Sequence, residues 1–329
     1  MKEFLIVGVD VSKSTLDIYF KPAGSALRID NNLHGFKLWH KEFKRLWDGA
    51  SKALVVMEHT GQYSYRFETF LRSRFIDYCK LPALQIKRSL GMIRGKNDKV
   101  DAVRIAGYGW LRRDILMADQ YPGQEIRALR ALLSLRHKLV RDISGYKSRF
   151  REMIATGTCV KSDWQGNMHQ QIIDFMESKK AMVEARINTL ITAHPNLQKT
   201  SQLLRSIKGV GLIISSYMIG CTENFKRFSN ARKFNCYAGL APFTHQSGSS
   251  IKGKARVSHM ANKAVKTLLN MGASSAIQHN KELKEYYQRR IEKGMGRMSC
   301  LNIIRSKLIS RMFAVIKRQT PYQEVAPAA

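Results

Sequence analysis

Residues 4–9 read FLIVGV and run straight into Asp10. A short apolar run without polar alternation is the mark of a strand buried on both faces. Such a strand needs helices above and below it, so the chain must build at least one α/β layer. A second run of the same kind, ALVVM at 53–57, stops at Glu58. Between them residues 15–20 (TLDIYF) alternate and residues 26–29 supply a third strand, so the opening reads as an antiparallel meander. Phe36, Trp39, Phe43 and Leu46 fall at helical spacing over 34–47. Residues 62–74 read as a helix, 75–79 as a strand and 83–91 as a short helix. A basic loop with Arg94, Lys96 and Lys99 leads into a helix over 99–113. Three strands, helix, strand, helix, strand and then helices is an α/β order that supplies a five-stranded sheet.

YPGQ at 121–124 is turn chemistry and a natural boundary. Beyond it Leu132, Leu135, Leu139, Ile143, Tyr146, Phe150 and Met153 recur at steps of three and four, a coiled-coil-like seam with Arg and Lys on its outside. A second helix is expected over 168–193, after the turn-like TGTCVKSDWQGN. The seam suits either a helical hairpin within one chain or an arm that joins two chains, and the sequence does not separate them. From 197 onward the chain reads as helical and basic, broken by glycine turns at 209–211 and by a loop at 241–254. These breaks divide it into regions 1–118, 119–196 and 197–329. No stretch approaches the ~20 apolar residues that a membrane span needs, and the N-terminus lacks a signal-peptide cleavage pattern. The cysteines (Cys79, Cys159, Cys221, Cys236, Cys300) are scattered, with no CxxC pair. That argues against a disulfide framework or a zinc site and fits a cytoplasmic location.

Lys and Arg number 56 against 25 Asp and Glu, a net charge of +31. An excess of this size calls for a polyanion partner, and nucleic acid is the natural one. The excess is uneven: 21 basic and 12 acidic side chains up to residue 114, then 35 and 13. The acids of the first part are therefore candidates for chemistry. Asp10 and Glu58 each end a buried strand, and Asp98 and Asp101 stand three apart at the start of a helix, on one face of it. Taken singly, each is explained as a turn or cap residue. Gathered at one end of a sheet they would repel one another, and would persist only where divalent cations neutralise them. Mg²⁺ prefers oxygen ligands, and a pair of Mg²⁺ or Mn²⁺ ions can clamp the attacking and leaving oxygens of an in-line phosphoryl displacement.

From Asn224 to Asn280 there is no Asp or Glu, whereas ten Lys or Arg fall within 224–281. That suits a surface which accepts phosphates. In its middle, HQSGSSIKGKAR at 245–256 offers backbone N–H groups from small residues together with Lys252, Lys254 and Arg256. On composition alone such a segment is more often only a loop. Upstream, SIKGVGLIISSYMIG at 206–220 resembles a helix-hairpin-helix, whose glycine turn, here Gly209 and Gly211, points N–H groups at a phosphate. A plain helix–helix turn is the alternative.

GVDVSK around Asp10, EHTG at 58–61 and KNDKVDA at 96–102 resemble the acidic motifs of the DEDD transposases of insertion-sequence family 110, which include the Piv/MooV invertases. NFKRFSNARKFNCYAGLAPFTHQSGSSIKGKARVS at 224–258 resembles the back-domain signature of the same family, with its AGLAP and SGSSxxG elements intact. The resemblance covers roughly residues 1–320 and is loosest in the middle. It implies a RuvC-like (ribonuclease-H-like) α/β catalytic domain, a coiled-coil-like helical middle and a mainly α transposase domain. It implies Asp10, Glu58, Asp98 and Asp101 as the metal-binding DEDD set and Ser247, the first serine of SGSS, as nucleophile, with Ser249 and Ser250 as bystanders. It also implies a homodimer or synaptic homotetramer with active sites shared between subunits, and a structured guide (bridge) RNA that pairs with donor and target DNA. The chain departs from the family at 258–266, where SHMANKAVK replaces a tendency toward SKxGNxxLR. His259, Met260 and Ala261 are substitutions, Asn262 is kept and Lys266 remains a cation.

The reading these features support is a site-specific DNA recombinase of an insertion sequence, in which the acidic set positions Mg²⁺ and Ser247 forms a phosphoserine link to DNA. A metal-dependent nuclease of the junction-resolvase kind, using water, is the alternative and leaves Ser247 structural. An actin-like ATPase or sugar kinase also opens on an apolar strand ending in Asp. It wants a second Asp-Gly phosphate loop and an adenosine-binding glycine pair, and the sequence has neither. A purely structural RNA-binding module leaves the acids unexplained.

Overall fold

The computed structural model describes residues 4–59, 61–89, 98–247, 251–258 and 261–324, with the backbone alone for 98–99, 244–247 and 251–255. Its contacts gather into two compact units, Met1–Tyr121 and Pro122–Ala329, so the division falls within the YPGQ turn.

The first unit opens with β1 (Leu5–Val11), β2 (Thr15–Lys21) and β3 (Ser25–Asp30), followed by α1 (Leu33–Leu46) and β4 (Ala53–Glu58). It continues with α2 (Tyr65–Ser73), β5 (Tyr78–Leu81), α3 (Ala83–Ser89) and α4 (Asp98–Leu111). The strands form one sheet in the order β3-β2-β1-β4-β5, antiparallel across the meander and parallel from β1 to β4 to β5. Odd-numbered residues of the two apolar runs, Val7, Val9, Val55 and Met57, share a core with Trp39, Phe43 and Phe67 under α1 and α2. Even-numbered Ile6, Leu54 and Val56 share another with Ile105 and Tyr108 of α4. Burial on both faces is what the unbroken apolar runs require. Gly8 lets α4 settle directly on β1: a Cβ there would stand 2.3 Å from the Ala106 amide nitrogen.

The second unit is helical apart from one ribbon. Its elements are α5 (Gln124–Ala155), α6 (Trp164–Thr192), α7 (Pro195–Arg205), α8 (Leu212–Thr222) and α9 (Ala231–Tyr237). Then come β6 (Pro242–Ser247), β7 (Ile251–Val257), α10 (Lys263–His279), α11 (Lys281–Glu292) and α12 (Arg297–Arg318). The seam of α5 faces α6 of the same chain, with Phe150 and Ile173 in one small core and Arg136–Glu184 and Lys147–Glu177 ion pairs at 2.7 and 2.8 Å. The expected seam needs one adjustment. Leu135 is exposed, and the inward positions are Leu133 and Arg136, because an α-helix of 3.6 residues per turn drifts from a strict heptad. The near ends of α5 and α6 are built into the main core: Leu129, Leu133, Ile187 and Ile191 pack with Leu204, Phe234, Leu269 and Leu308.

A second correction concerns 241–254. It is not an open loop but a two-stranded antiparallel ribbon, β6 with β7, carrying an irregularity between Phe243 and His245. The alternation in IKGKARV was there to read, but the Gly/Ser turn before it outweighed it. Among the described residues no helix is long and apolar enough to cross a membrane, and the cysteines are unbridged.

Candidate nuclease centre and serine ribbon

Strand register brings two of the candidate acids together. Val9 pairs with Met57 in the parallel ladder, so the next residues, Asp10 and Glu58, end up side by side at the edge of that ladder. Both are half-buried. Both are even-numbered, so by the two-residue period they share the face of Ile6 and Val56, the face that α4 covers. Ala102 and Ala106 lie over Gly8, and Gly109 lies over Ile6 and Val56. The helix therefore runs opposite to β1. At ~1.5 Å per helical residue and ~3.3 Å per strand residue, its first turn comes over Asp10. That turn carries Asp98 and Asp101.

Asp101 makes an ion pair with Arg104 at 2.8 Å. The Asp98 side chain lies outside the described residues. Glu68 is buried on the opposite face, where Ser64 Oγ donates to it at 2.7 Å and Lys80 Nζ at 3.0 Å, so it belongs to the packing of α2. Lys80 N donates to Asp119 Oδ2 at 3.0 Å, and burial pushes the Asp119 carboxyl above the usual range. One acid on the α4 face escaped sequence reasoning: Asp17, directly opposite Asp10 on β2 and 4% exposed. The alternation of TLDIYF placed it away from Leu16, Ile18 and Phe20, but only tertiary packing reveals that its face is covered as well.

Every donor at this centre is a carboxylate oxygen, which suits a hard divalent cation such as Mg²⁺. Among the described residues no three His, Cys, Asp or Glu side chains already converge as ligands. Completing a set would draw Asp101 away from Arg104 and use Asp98, which starts the same turn.

In the second unit, Ser247 is the last residue of β6 and pairs with Ile251, the first of β7. It thus stands at the tip of a ribbon; its side chain, with those of Ser249 and Ser250, lies outside the described residues. Lys252, Lys254 and Arg256 occupy alternate positions of β7, and Arg256 is exposed opposite Phe243. The base of the ribbon is clamped. Asn262 caps α10 by accepting from Val265 N at 3.1 Å and donates to Tyr237 Oη at 2.8 Å. Lys266 donates to the Gly239 carbonyl at 3.0 Å, and Asn302 to that of Leu240 at 2.9 Å. Asn262, kept in the divergent segment, and Lys266, which keeps the charge there, therefore hold the AGLAP turn from which β6 departs. His259 and Met260 lie outside the described residues. Beside the clamp Arg305 is 4% exposed and donates to the side-chain oxygens of Asn270 and Asn302. Burial lowers its pKa.

Gly209 and Gly211 lie in the turn between α7 and α8. Gly209 has φ +89°, and a Cβ on it would come within 2.4 Å of the Gly272 carbonyl oxygen. Close packing on α10 thus accounts for that glycine. Gly211 is the exposed N-cap of α8.

Comparison with known proteins gives independent matches to both units. A family model described as a transposase, of the DEDD type of IS110, matches residues 7–157. One described as the transposase IS116/IS110/IS902 family matches residues 201–288. The pilin gene-inverting proteins of Moraxella bovis and Moraxella lacunata are each 27% identical over 327 residues, spanning 97% of this chain and 97% of theirs. An uncharacterised 43.6 kDa protein of insertion element IS110 from Streptomyces coelicolor is 30% identical over 152 residues, 46% of this chain and 36% of its own.

Proposed function

The chain belongs to the IS110 family of transposases, and on that premise we propose that it is a site-specific DNA recombinase that cuts DNA through a covalent link to Ser247. The observation that carries the reading is the placing of Asp10 and Glu58 side by side under the first turn of α4. Asp10, Glu58, Asp98 and Asp101 would hold Mg²⁺ or Mn²⁺. A cation held there polarises the phosphoryl oxygens and offsets their developing charge. In the reaction Ser247 Oγ bonds to phosphorus, the bond to the leaving sugar oxygen breaks, and the serine proton ends on that oxygen. Lys252, Lys254 and Arg256 supply positive charge near the serine, and Gly209 and Gly211 a backbone contact to phosphate further along the DNA.

Two partners follow from family likeness: a guide RNA that selects donor and target DNA, and further copies of this chain in a dimer or tetramer. The net charge of +31 supports the first. A stripe of exposed Met168, Ile172, Phe175 and Met182 at helical spacing on α6 supports the second. Sequencing the RNA that co-purifies with the protein tests the guide.

End-labelled DNA on denaturing gels tests the chemistry. Wild-type protein yields a protein-linked strand, Ser247→Ala binds DNA without forming one, and Ser249→Ala and Ser250→Ala still form it. An adduct with Ser247→Ala would move the nucleophile to a neighbouring hydroxyl. Wild-type cleavage with no adduct would favour hydrolysis by a metal-dependent nuclease, to which the DEDD match of residues 7–157 is equally suited.

A further inference from the structure

The sheet carries more charge on its α4 face than the four expected acids. Asp10 pairs with Asp17 across β1–β2, and Asp17 pairs with Arg28 across β2–β3. With Glu58 beside Asp10, one row across four strands reads Arg28, Asp17, Asp10, Glu58. The row lies on the α4 face throughout. Leu16, Ile18 and Phe20 occupy the other core, and Lys21, in phase with Asp17, puts its Nζ 6.0 Å from the centroid of the Trp110 ring on α4.

Asp17 is poorly compensated for so buried a group. Its side chain is 5% exposed, and its ion pair with Arg28 Nε is 3.8 Å long, beyond hydrogen-bond distance. Arg28 itself is 54% exposed and so largely screened by water. Like charges directly opposite on neighbouring strands destabilise a sheet, yet here Asp17 faces Asp10 under a helix. A buried carboxylate in this position demands more positive charge than Arg28 provides. The divalent cation at Asp10 and Glu58 would provide it.

We propose that Asp17 is a positioning residue of the nuclease centre. It does not ligate the cation but supplies, from beneath α4, the fixed negative charge that raises the site's affinity for it, while Arg28 limits that charge from the sheet edge. The proposal rests on the metal-centre reading above. It predicts opposite effects for two neighbours in one ion pair. At one to two strand spacings (~5–10 Å) the loss of a unit charge changes the affinity for a divalent ion by about 4- to 20-fold even in a water-like dielectric. Asp17→Asn should therefore need that much more Mg²⁺ to reach half its maximal thermal shift. Arg28→Gln should need less, by a smaller factor because Arg28 is half-exposed.

The test follows thermal unfolding of the full chain against Mg²⁺, and again against Mn²⁺, with Asp10→Ala as the variant that loses the shift. Asp17→Glu, which restores the charge, should titrate close to wild type. If Asp17→Asn and Arg28→Gln change the metal-free melting temperature but both titrate at the wild-type midpoint, the pair is merely structural and the proposal falls. Should Asp17→Asn not fold, the direction of the Arg28→Gln midpoint decides alone, an unchanged or raised midpoint counting against the proposal. If wild type itself shows no shift with either ion, the metal-centre reading fails first and this proposal with it.

Discussion

Gly8 bears directly on the proposed centre, because its missing side chain lets α4 rest on β1. Gly8→Ala would put a Cβ 2.3 Å from Ala106 N and 2.5 Å from the Ala102 carbonyl oxygen. Backbone atoms cannot swing aside, so the helix must lift. A loss of about 1–3 kcal/mol is expected, seen as a lower melting temperature, with DNA cleavage falling further than that loss explains because Asp98 and Asp101 move with the helix. Asp10→Ala should do the reverse. It should abolish cleavage while leaving metal-free thermal stability unchanged or raised, since one of several crowded carboxylates is gone. Cleavage at the wild-type rate in excess Mg²⁺ would remove Asp10 from the centre. Residues of this kind differ in how openly the sequence shows them. Asp10 and Glu58 are legible because each interrupts an apolar run. Asp17 is not, since its alternating strand is equally consistent with a solvated outer face. Arg305 is legible only as one more cation, although burial among asparagines sets it apart.

At the scale of elements, the succession of β1 to β5 and the antiparallel meander followed from run lengths and periodicity, with boundaries shifting by a few residues at most, whereas the parallel pairing of β1 with β4 and of β4 with β5 did not. What else escaped was decided by pairing partners, one of them distant in sequence. Arg136 takes a seam position because Glu184 on α6 answers it, and β6 pairs with β7 although Pro242 and Ser247 at its two ends are turn formers. The α5–α6 hairpin also offers a pH test. Lys147 and Lys180 hold the Glu177 carboxyl down at about 2, against 4.5 when unpaired. A depressed carboxylate pKa adds stability that is full above the unpaired value and is lost as pH falls from about 4.5 toward 2. Glu177 is about one-third exposed, so water screens the pair and the contribution should stay within about 1 kcal/mol. Glu177→Gln should lower the melting temperature at neutral pH, and the gap from wild type should close through that acid window. A constant gap at every pH would mean that the ion pairs contribute nothing.

At the scale of the whole molecule, the acids proposed to bind metal lie in the first unit and the proposed nucleophile Ser247 in the second. Sites shared between subunits would be exposed by mixing. Asp10→Ala and Ser247→Ala proteins, each inactive, should regain single-strand adduct once subunits exchange, because a mixed pair holds one intact site. A silent mixture with exchange verified by tags would confine each site to one chain. Charge reversal at Lys252, Lys254 and Arg256 should reduce the slope of affinity against salt and reduce cleavage with it; an unchanged slope would take these three off the DNA path. The strand order has a consequence for how such a protein comes into being. Asp10 and Asp17 meet in a local hairpin, but Glu58 reaches Asp10 only through a parallel crossover, and α4 follows β5 in the chain. Local hairpins close in microseconds, whereas nonlocal parallel pairing is slow. A chain emerging from the ribosome would thus own a sheet before it owns a centre, and a product truncated before α4 would leave Ile6, Leu54 and Val56 uncovered and could not cut DNA.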